Sequence, residues 1–100
     1  MAMTPEAKVK KQIKAILDAR GAVYCMPVSG GYGKSGVSDF IVCYYGQFIS
    51  IEAKAGKGKI TALQGRWLGQ VKSMGGCAVV IREDNLELLI AMLSEIRSDE

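Results

Sequence analysis

The stretch that decides the fold is GVSDFIVCYYGQFISIEAK, which occupies residues 36–54. It contains two largely apolar segments, Ser38–Tyr44 and Gln47–Lys54, each with the length and the aromatic and β-branched content typical of a strand. Between them, Tyr45-Gly46 has the length of a two-residue hairpin turn. The stretch therefore predicts an antiparallel β-hairpin whose short turn fixes the register of its strands.

The open end of this hairpin carries three charged residues. A two-residue turn places Asp39 directly opposite Glu52, and Lys54 shares the face of Glu52 because side chains two residues apart on a strand point the same way. Two carboxylates so close repel each other unless a positive charge lies between them. The register therefore predicts a cation site. Simpler interpretations stay open, in which Asp39 caps a loop and Glu52 forms a solvated pair with Lys54.

A third carboxylate comes from the first predicted helix. Thr4 is a favoured N-cap residue, Pro5 suits the first helical position, and Gly21 ends the helix. Glu6 falls within the apolar arc of this helix and is expected to face the protein, although it could serve only to favour the helix N-terminus. Mg²⁺ takes oxygen ligands, so Glu6 is a candidate third ligand beside Asp39 and Glu52.

The remaining elements follow from turn and helix signals. Strands are predicted at Ala22–Val28 and Cys77–Ile81, the second buried on both faces, and the four glycines of Ser29–Gly36 predict a loop. Helices are predicted from Thr61 to Gly75-Gly76 and from Asp84 or Asn85 to near Arg97. The order α-β-β-β-α-β-α predicts an α/β fold with a mixed four-stranded sheet flanked by helices. No linker interrupts it, so residues 1–100 are expected to form a single domain.

Gln64 has two interpretations. The segment Thr61-Ala62-Leu63-Gln64 fits a capping box, in which the glutamine side chain bonds back to the N-cap amide. Gln64 also shares a helix face with Trp67, which would let it reach toward the strand that carries Glu52. The sequence leaves open whether Gln64 only caps the helix.

The absence of histidine excludes several catalytic classes. With no histidine, the chain has no Ser-His-Asp or Cys-His system, no HExxH metalloprotease and no HNH-type nuclease. Cys25, Cys43 and Cys77 are too widely spaced for a zinc site and odd in number for a disulfide framework. Any catalysis must therefore rest on carboxylates, lysines, hydroxyls or thiols.

Composition and length indicate an ordinary folded protein. The chain has 100 residues, of which 49% are hydrophobic and 23% charged. No apolar run approaches the ~20 residues of a membrane helix, and the first residues lack the pattern of a signal peptide. We therefore expect no membrane association and a cytoplasmic location.

Two nucleotide-binding motifs match only superficially. Residues 31–36 read G-x-G-x-x-G, and Gly33-Lys34-Ser35 resembles the end of a P-loop. Both motifs need a helix after the turn, whereas here a strand pattern follows. The plainer interpretation is a loop whose lysine could approach a phosphate backbone.

The charge is unevenly distributed. Residues 1–82 carry a net charge of +8 and residues 83–100 one of −5. A basic body suits a polyanionic partner such as DNA, although mixed surface charge could serve only solubility. The candidate DNA contacts are Lys34, Lys57, Lys59 and Arg66.

The ordered set of residues resembles a known nuclease family. Asp39 followed after twelve residues by Glu52-Ala53-Lys54 resembles the PD-(D/E)XK nuclease superfamily, whose restriction-endonuclease-like core has this element order. Gly36-Val37-Ser38-Asp39-Phe40, Gln64 in the next helix and Glu6 in the first resemble its VRR-NUC (virus-type replication-repair nuclease) family. The resemblance covers roughly residues 4–93. Asp39 follows Ser38 where the superfamily label has proline.

The resemblance implies a divalent-metal-dependent, structure-specific DNA endonuclease. Asp39, Glu52 and the Ala53 carbonyl would hold Mg²⁺ or Mn²⁺, with Glu6 as a ligand directly or through water. Lys54 would orient the attacking water, and Gln64 would support the site. Family members of this size, as in phages, are similar to Holliday-junction-resolving homodimers, so a bacterial or phage-infected cell and branched DNA are implied. The alternative is a nucleic-acid-binding module that keeps the fold without cutting.

The last predicted helix suggests how a homodimer could form. Its apolar residues spread over about 200°, wider than one core needs. Leu86, Leu89, Ile90 and Leu93 would suffice to pack on the sheet. Leu88 and Met92, with Ile96 near the boundary, would then form an exposed strip for a second copy, unless a loop of the same chain covers them.

Overall fold

The computed structural model describes residues 3–28 and 34–98, which form three helices and four strands. In chain order these are α1 (Pro5–Ala19), β1 (Val23–Cys25), β2 (Phe40–Tyr44), β3 (Gln47–Ala53), α2 (Ala62–Ser73), β4 (Cys77–Ile81) and α3 (Leu86–Ser98). The sheet order is β1-β2-β3-β4, antiparallel except for the parallel pair β3 and β4. The predicted α/β class, element order and mixed four-stranded sheet are confirmed.

The central hairpin has the predicted register. Tyr45 and Gly46 both have positive φ, 49° and 77°, as a two-residue type I′ turn requires, and Tyr44 pairs with Gln47. The last pair of the ladder is Phe40 with Ile51. Asp39 thus lies one residue outside β2, at the point where the chain leaves the sheet. The predicted strands were longer at this end, by two residues in β2 and by one in β3, so the predicted pair of Asp39 with Glu52 is not part of the ladder.

The two faces of the sheet serve different purposes. One face packs against α1 and α3 and forms the core, whose buried residues are Val9, Ile13, Leu17, Phe40, Val42, Tyr44, Ile49, Ile51, Ala53, Ile81, Leu89 and Leu93. Because alternate residues of a strand point to opposite faces, Ser50 and Glu52 of β3 lie on the other face, where they contact α2. The core therefore supports β3 from behind and leaves Glu52 beside α2.

Two edge strands differ from the sequence expectation. β1 was predicted from 22 to 28 but pairs only over Val23–Cys25. β4 was predicted to be buried on both faces, yet most of it is half-buried. The reason is its place at the edge of the sheet, where β3 is its one neighbouring strand.

The predicted apolar strip on α3 is wrong. Met92 and Ile96, expected in the strip, pack against the core, whereas Ile90, expected in the core, is 39% exposed. Leu88 is exposed as predicted, but it and Ile90 flank the buried stripe on opposite sides, since they lie about 200° apart around the helix. The wide apolar arc is used mainly to cover the sheet.

The start of α3 is built differently from a simple cap. Asn85 directly precedes the helix, as predicted, but its side chain turns back to β4, accepting from the Arg82 N–H and donating to the Val80 carbonyl. Asn85 therefore fastens the turn between β4 and α3.

The glycine-rich segment before β2 is only partly described. Residues 29–33, which include the first three residues of the G-x-G-x-x-G match and Gly33 of the P-loop match, lie outside the described residues, and residues 34–39 lead into β2. A strand therefore follows the glycine-rich segment, where both nucleotide-binding motifs would need a helix.

In the described part of the chain, no helix has the length and apolar character needed to span a membrane.

Candidate active site

Three of the residues predicted from the hairpin meet at its open end. The Asp39 carboxylate takes the place of a ladder partner, because its Oδ2 accepts a hydrogen bond of 2.8 Å from the Ala53 N–H. On either side of Ala53 are Glu52 and Lys54, and Lys54 Nζ lies 3.8 Å from Glu52 Oε2. The departure of the chain from β2 thus brings a side-chain carboxylate to the edge of β3, beside a buried acid and a lysine.

Glu52 is the most unusual group of the site. It is 2% exposed, and its Oε1 has no hydrogen-bond partner among the described residues. Burial, and then the neighbouring Asp39 carboxyl, raise the pKa of Glu52 to about 8, against the opposing effect of Lys54. A buried acid with an unsatisfied oxygen costs stability unless a hydrogen-bond donor or a positive charge compensates it.

Gln64 performs both of its predicted roles at once. Its Oε1 accepts from the Thr61 N–H at 2.9 Å and its own N–H donates to Thr61 Oγ1 at 3.1 Å, which completes the capping box. Its Nε2 donates to Glu52 Oε2 at 3.1 Å. The first turn of α2 therefore fixes one oxygen of Glu52 and leaves the other unpaired.

Glu6 approaches the site through a residue that the sequence analysis missed. Lys10 Nζ lies 3.6 Å from Glu6 Oε2 and 3.3 Å from Asp39 Oδ1, so it bridges α1 to the hairpin. Partial burial opposes the charge on Lys10, but the carboxylates of Asp39 and Glu6 outweigh it and raise the pKa of Lys10. The i, i+4 spacing of Glu6 and Lys10 was the available signal.

The residues present fit a divalent cation with oxygen ligands. The predicted set of three carboxylates, Glu6, Asp39 and Glu52, is not brought together, since no three acidic, cysteine or histidine side chains of the described residues are placed to hold a metal. The Glu6 carboxylate is 44% exposed and pairs with Lys10. Asp39 and Glu52 nevertheless offer two carboxylates, one with a buried, unpaired oxygen. A strand residue directs its N–H and C=O to the same neighbour, so the Ala53 carbonyl lies on the Asp39 side. Carboxylate and carbonyl oxygens are the ligands that Mg²⁺ and Mn²⁺ prefer.

The segment after β3 is held against the turn between β4 and α3. The Arg82 guanidinium donates to the Gly56 and Gly58 carbonyls at 3.1 and 2.6 Å, and Glu83 Oε1 accepts from the Gly56 N–H at 2.7 Å. Lys57 and Lys59 are exposed on this segment. Their backbone is therefore anchored although their side chains reach solvent.

The other two candidate DNA contacts, Lys34 and Arg66, line one pocket. Lys34, before β2, and Arg66, in α2, line the same pocket together with Trp67, whose Nε1 donates to Ser50 Oγ at 2.8 Å. The sequence places Trp67 on the helix face of Gln64 but predicts no function for it. Its position one turn after Gln64 was the signal.

Comparison with solved structures finds the same fold. A structure described as "VRR_NUC domain" matches with a TM-score of 0.72 and 23% sequence identity, and the match covers 89% of this chain and 97% of that one. No protein-family model and no curated protein matches the chain. The chain therefore has the fold of a VRR_NUC domain over most of its length, in agreement with the resemblance read from the sequence.

Proposed function

We propose that this chain is a member of the VRR-NUC family and a divalent-metal-dependent endonuclease that hydrolyses phosphodiester bonds in DNA. The observation that carries the proposal is Glu52, buried with one unpaired oxygen and set between Asp39 and Lys54. The fold shared with a VRR_NUC domain supports it, as does the net charge of +8 over residues 1–82.

Each side chain has a definable task in this reaction. Asp39, Glu52 and the Ala53 carbonyl would hold Mg²⁺ or Mn²⁺, which when bound would polarise the phosphate and lower the pKa of the attacking water. Gln64 keeps Glu52 in place, and Glu6 contributes through the Lys10 bridge to Asp39. Lys54, whose side chain is 14% exposed, holds a positive charge next to the carboxylates. That charge offsets the negative charge that grows on the phosphate during attack.

The test is cleavage of branched and linear DNA with EDTA, Mg²⁺ or Mn²⁺. We expect metal-dependent nicking by the wild type and a loss of about 10²–10³-fold in Lys54→Ala, the range for removing one group that stabilises the transition state. Asp39→Asn should be inactive. Lys14→Ala is the matched control, because this lysine is exposed on α1, and it should cleave as the wild type does.

The competing function is DNA binding without cleavage. Fluorescence anisotropy with labelled DNA separates the two, since Lys54→Ala should still bind. Binding by the wild type with no nicking under any of the metal conditions would establish the binding module and refute the nuclease.

The finer proposal is a homodimer that resolves Holliday junctions. Such a junction has two symmetric strands to nick, which suits two active sites related by a two-fold axis. Exposed Leu88 and Ile90 are the apolar residues of α3 available to an interface. Light scattering should give about twice 10.8 kDa. A monomer at micromolar concentration, with or without a junction, contradicts this proposal and leaves the nuclease itself untouched.

A further inference from the structure

A pocket lined by two cationic side chains lies between α2 and the segment that precedes β2. It has a volume of about 210 Å³ and is lined by Lys34, Ser35, Leu63, Arg66, Trp67 and Gln70. No lining residue is acidic, and among the described residues neither Lys34 nor Arg66 has a carboxylate within 4 Å. The polar lining groups can all donate hydrogen bonds, which suits a phosphate.

Gly36 fixes the geometry of this pocket. Its φ is +82°, and a Cβ at this position would lie 2.5 Å from the Leu63 carbonyl oxygen. The backbone before β2 can approach α2 this closely because residue 36 has no side chain. Residues 34–36 are therefore pressed against the first turn of α2, and Lys34 and Arg66 face the same cavity.

Trp67 gives the pocket an aromatic wall. Its indole N–H is held by Ser50, and the half-buried ring also lines an adjoining apolar pocket of about 330 Å³ with Phe48, Val71 and Met74. The two pockets share Trp67 and Gln70, and together we call them the groove. One end of the groove is lined by Lys34 and Arg66, and the other end is aromatic and apolar. This combination is typical of sites for single-stranded nucleic acid, where cations contact phosphates and bases stack on aromatic rings.

The groove and the candidate active site lie on the same face of β3. Trp67 bonds to Ser50 and Gln64 bonds to Glu52, and these two strand residues are about 7 Å apart along β3. Trp67, which lines the groove, therefore lies about one helical turn along α2 from Gln64, which holds Glu52.

We propose that this groove binds a nucleotide of a single DNA strand, with its phosphate on Lys34 and Arg66 and its base against Trp67. The proposal rests on the proposed nuclease function, since it extends the path of the substrate strand away from Glu52. It assigns the chain a preference for DNA with unpaired nucleotides near the cleaved bond.

Trp67 is the only tryptophan of the chain, so its fluorescence reports the groove directly. In EDTA, where no cleavage is expected, an oligothymidine of about ten nucleotides should quench this fluorescence. A blunt hairpin duplex of equal charge should quench it far less. Anisotropy with labelled oligothymidine should show affinity reduced about 5- to 150-fold in Trp67→Ala, the range for losing one stacked base.

Two exposed-residue variants separate the groove from general charge. Lys34→Ala and Arg66→Ala should each weaken oligothymidine binding and lower its salt slope by about 0.7, the value for one phosphate contact on a single strand. Lys72→Ala removes the same charge from the exposed last turn of α2 and should change neither. The proposal is overturned if Trp67 is not quenched, or if Lys72→Ala weakens binding as much as Arg66→Ala.

The outcome is independent of the nuclease test. Asp39→Asn should keep full quenching of Trp67 although it is expected to be inactive. If the wild type shows quenching but never cuts DNA, the groove is supported and the nuclease is refuted. If it cuts DNA without quenching of Trp67, the nuclease is supported and the groove is refuted.

Discussion

Glu52 sets the energetic cost of the site. Its folded-state pKa of about 8 lies above the ordinary 4.5, so between these values the unfolded chain binds fewer protons than the native one. Its contribution to stability is therefore present below pH 4.5 and is lost as the pH rises toward 8. A metal-free protein should carry this cost at neutral pH.

We predict that Glu52→Gln raises the free energy of unfolding in EDTA at pH 8 by about 1–3 kcal/mol, because the neutral amide removes a negative charge whose burial costs stability. The gain should shrink toward pH 4.5, where the wild-type carboxyl is protonated in both states. Urea unfolding at several pH values measures it. Mg²⁺ should stabilise the wild type but not the variant.

Glu95→Gln is the control for this comparison, because Glu95 is exposed on α3 and should shift stability by at most about 0.5 kcal/mol. If Glu52→Gln destabilises the protein at pH 8, the carboxyl is better accommodated than its burial indicates.

Individual site residues were predictable where strand geometry fixed them. Asp39, Glu52 and Lys54 follow from a two-residue turn and a period of two. Lys10 did not follow, because its ion pair with Asp39 depends on where α1 docks against the hairpin. Such docking is set by packing between distant segments, which local sequence patterns do not encode.

The first turn of α2 connects helix stability to the site. Gln64 bonds to Thr61 through its oxygen and to Glu52 through its nitrogen. Helix starts are predictable from capping residues, and this one was, whereas the ends of β1 and β2 were not. Strand ends depend on which neighbour remains within hydrogen-bonding reach, and residues 38 and 39 lose theirs as the chain leaves the sheet.

We predict that the two bonds of Gln64 can be separated by substitution. Thr61→Ala should lower the free energy of unfolding by about 1 kcal/mol, as the loss of an N-cap does, and leave cleavage unchanged. Gln64→Glu keeps a capping-box residue but replaces the N–H donor with a charge beside Glu52. It should therefore retain much of the helix stability and lose cleavage by about tenfold or more.

Urea unfolding and the nicking assay measure these two effects. Equal losses of cleavage in Thr61→Ala and Gln64→Glu would mean that the capping box alone, and not the bond to Glu52, supports the site.

At the scale of the whole molecule, the architecture was largely predictable from the sequence. The alternation of helices and strands indicated the α/β class, and the helix between β3 and β4 accounts for their parallel pairing. The role of α3 was harder to foresee, because a wide apolar arc can cover a sheet or a partner, and here Met92 and Ile96 cover the sheet. The sequence also predicts a basic surface near the site, since residues 55–82 contain five basic residues and no acid.

The basic residues after β3 predict how duplex binding responds to salt. Lys57 and Lys59 extend from a segment whose backbone is fixed by Arg82 and Glu83, next to Lys54 and the carboxylates. Each phosphate contact contributes about 0.9 to the slope of log affinity against log salt. The double variant Lys57→Ala/Lys59→Ala should therefore weaken duplex binding and reduce the slope by about 2.

The matched control also removes two positive charges, but from the exposed side of α1. Lys11 and Lys14 are both exposed there, and neither has a carboxylate within 4 Å in the described residues. If DNA lies across the open end of the hairpin, Lys11→Ala/Lys14→Ala should leave the slope within about 0.5 of the wild type. If binding reflects only the overall positive charge, the two double variants should lose affinity and slope equally. Fluorescence anisotropy across a salt series distinguishes binding through Lys57 and Lys59 from binding through the overall positive charge.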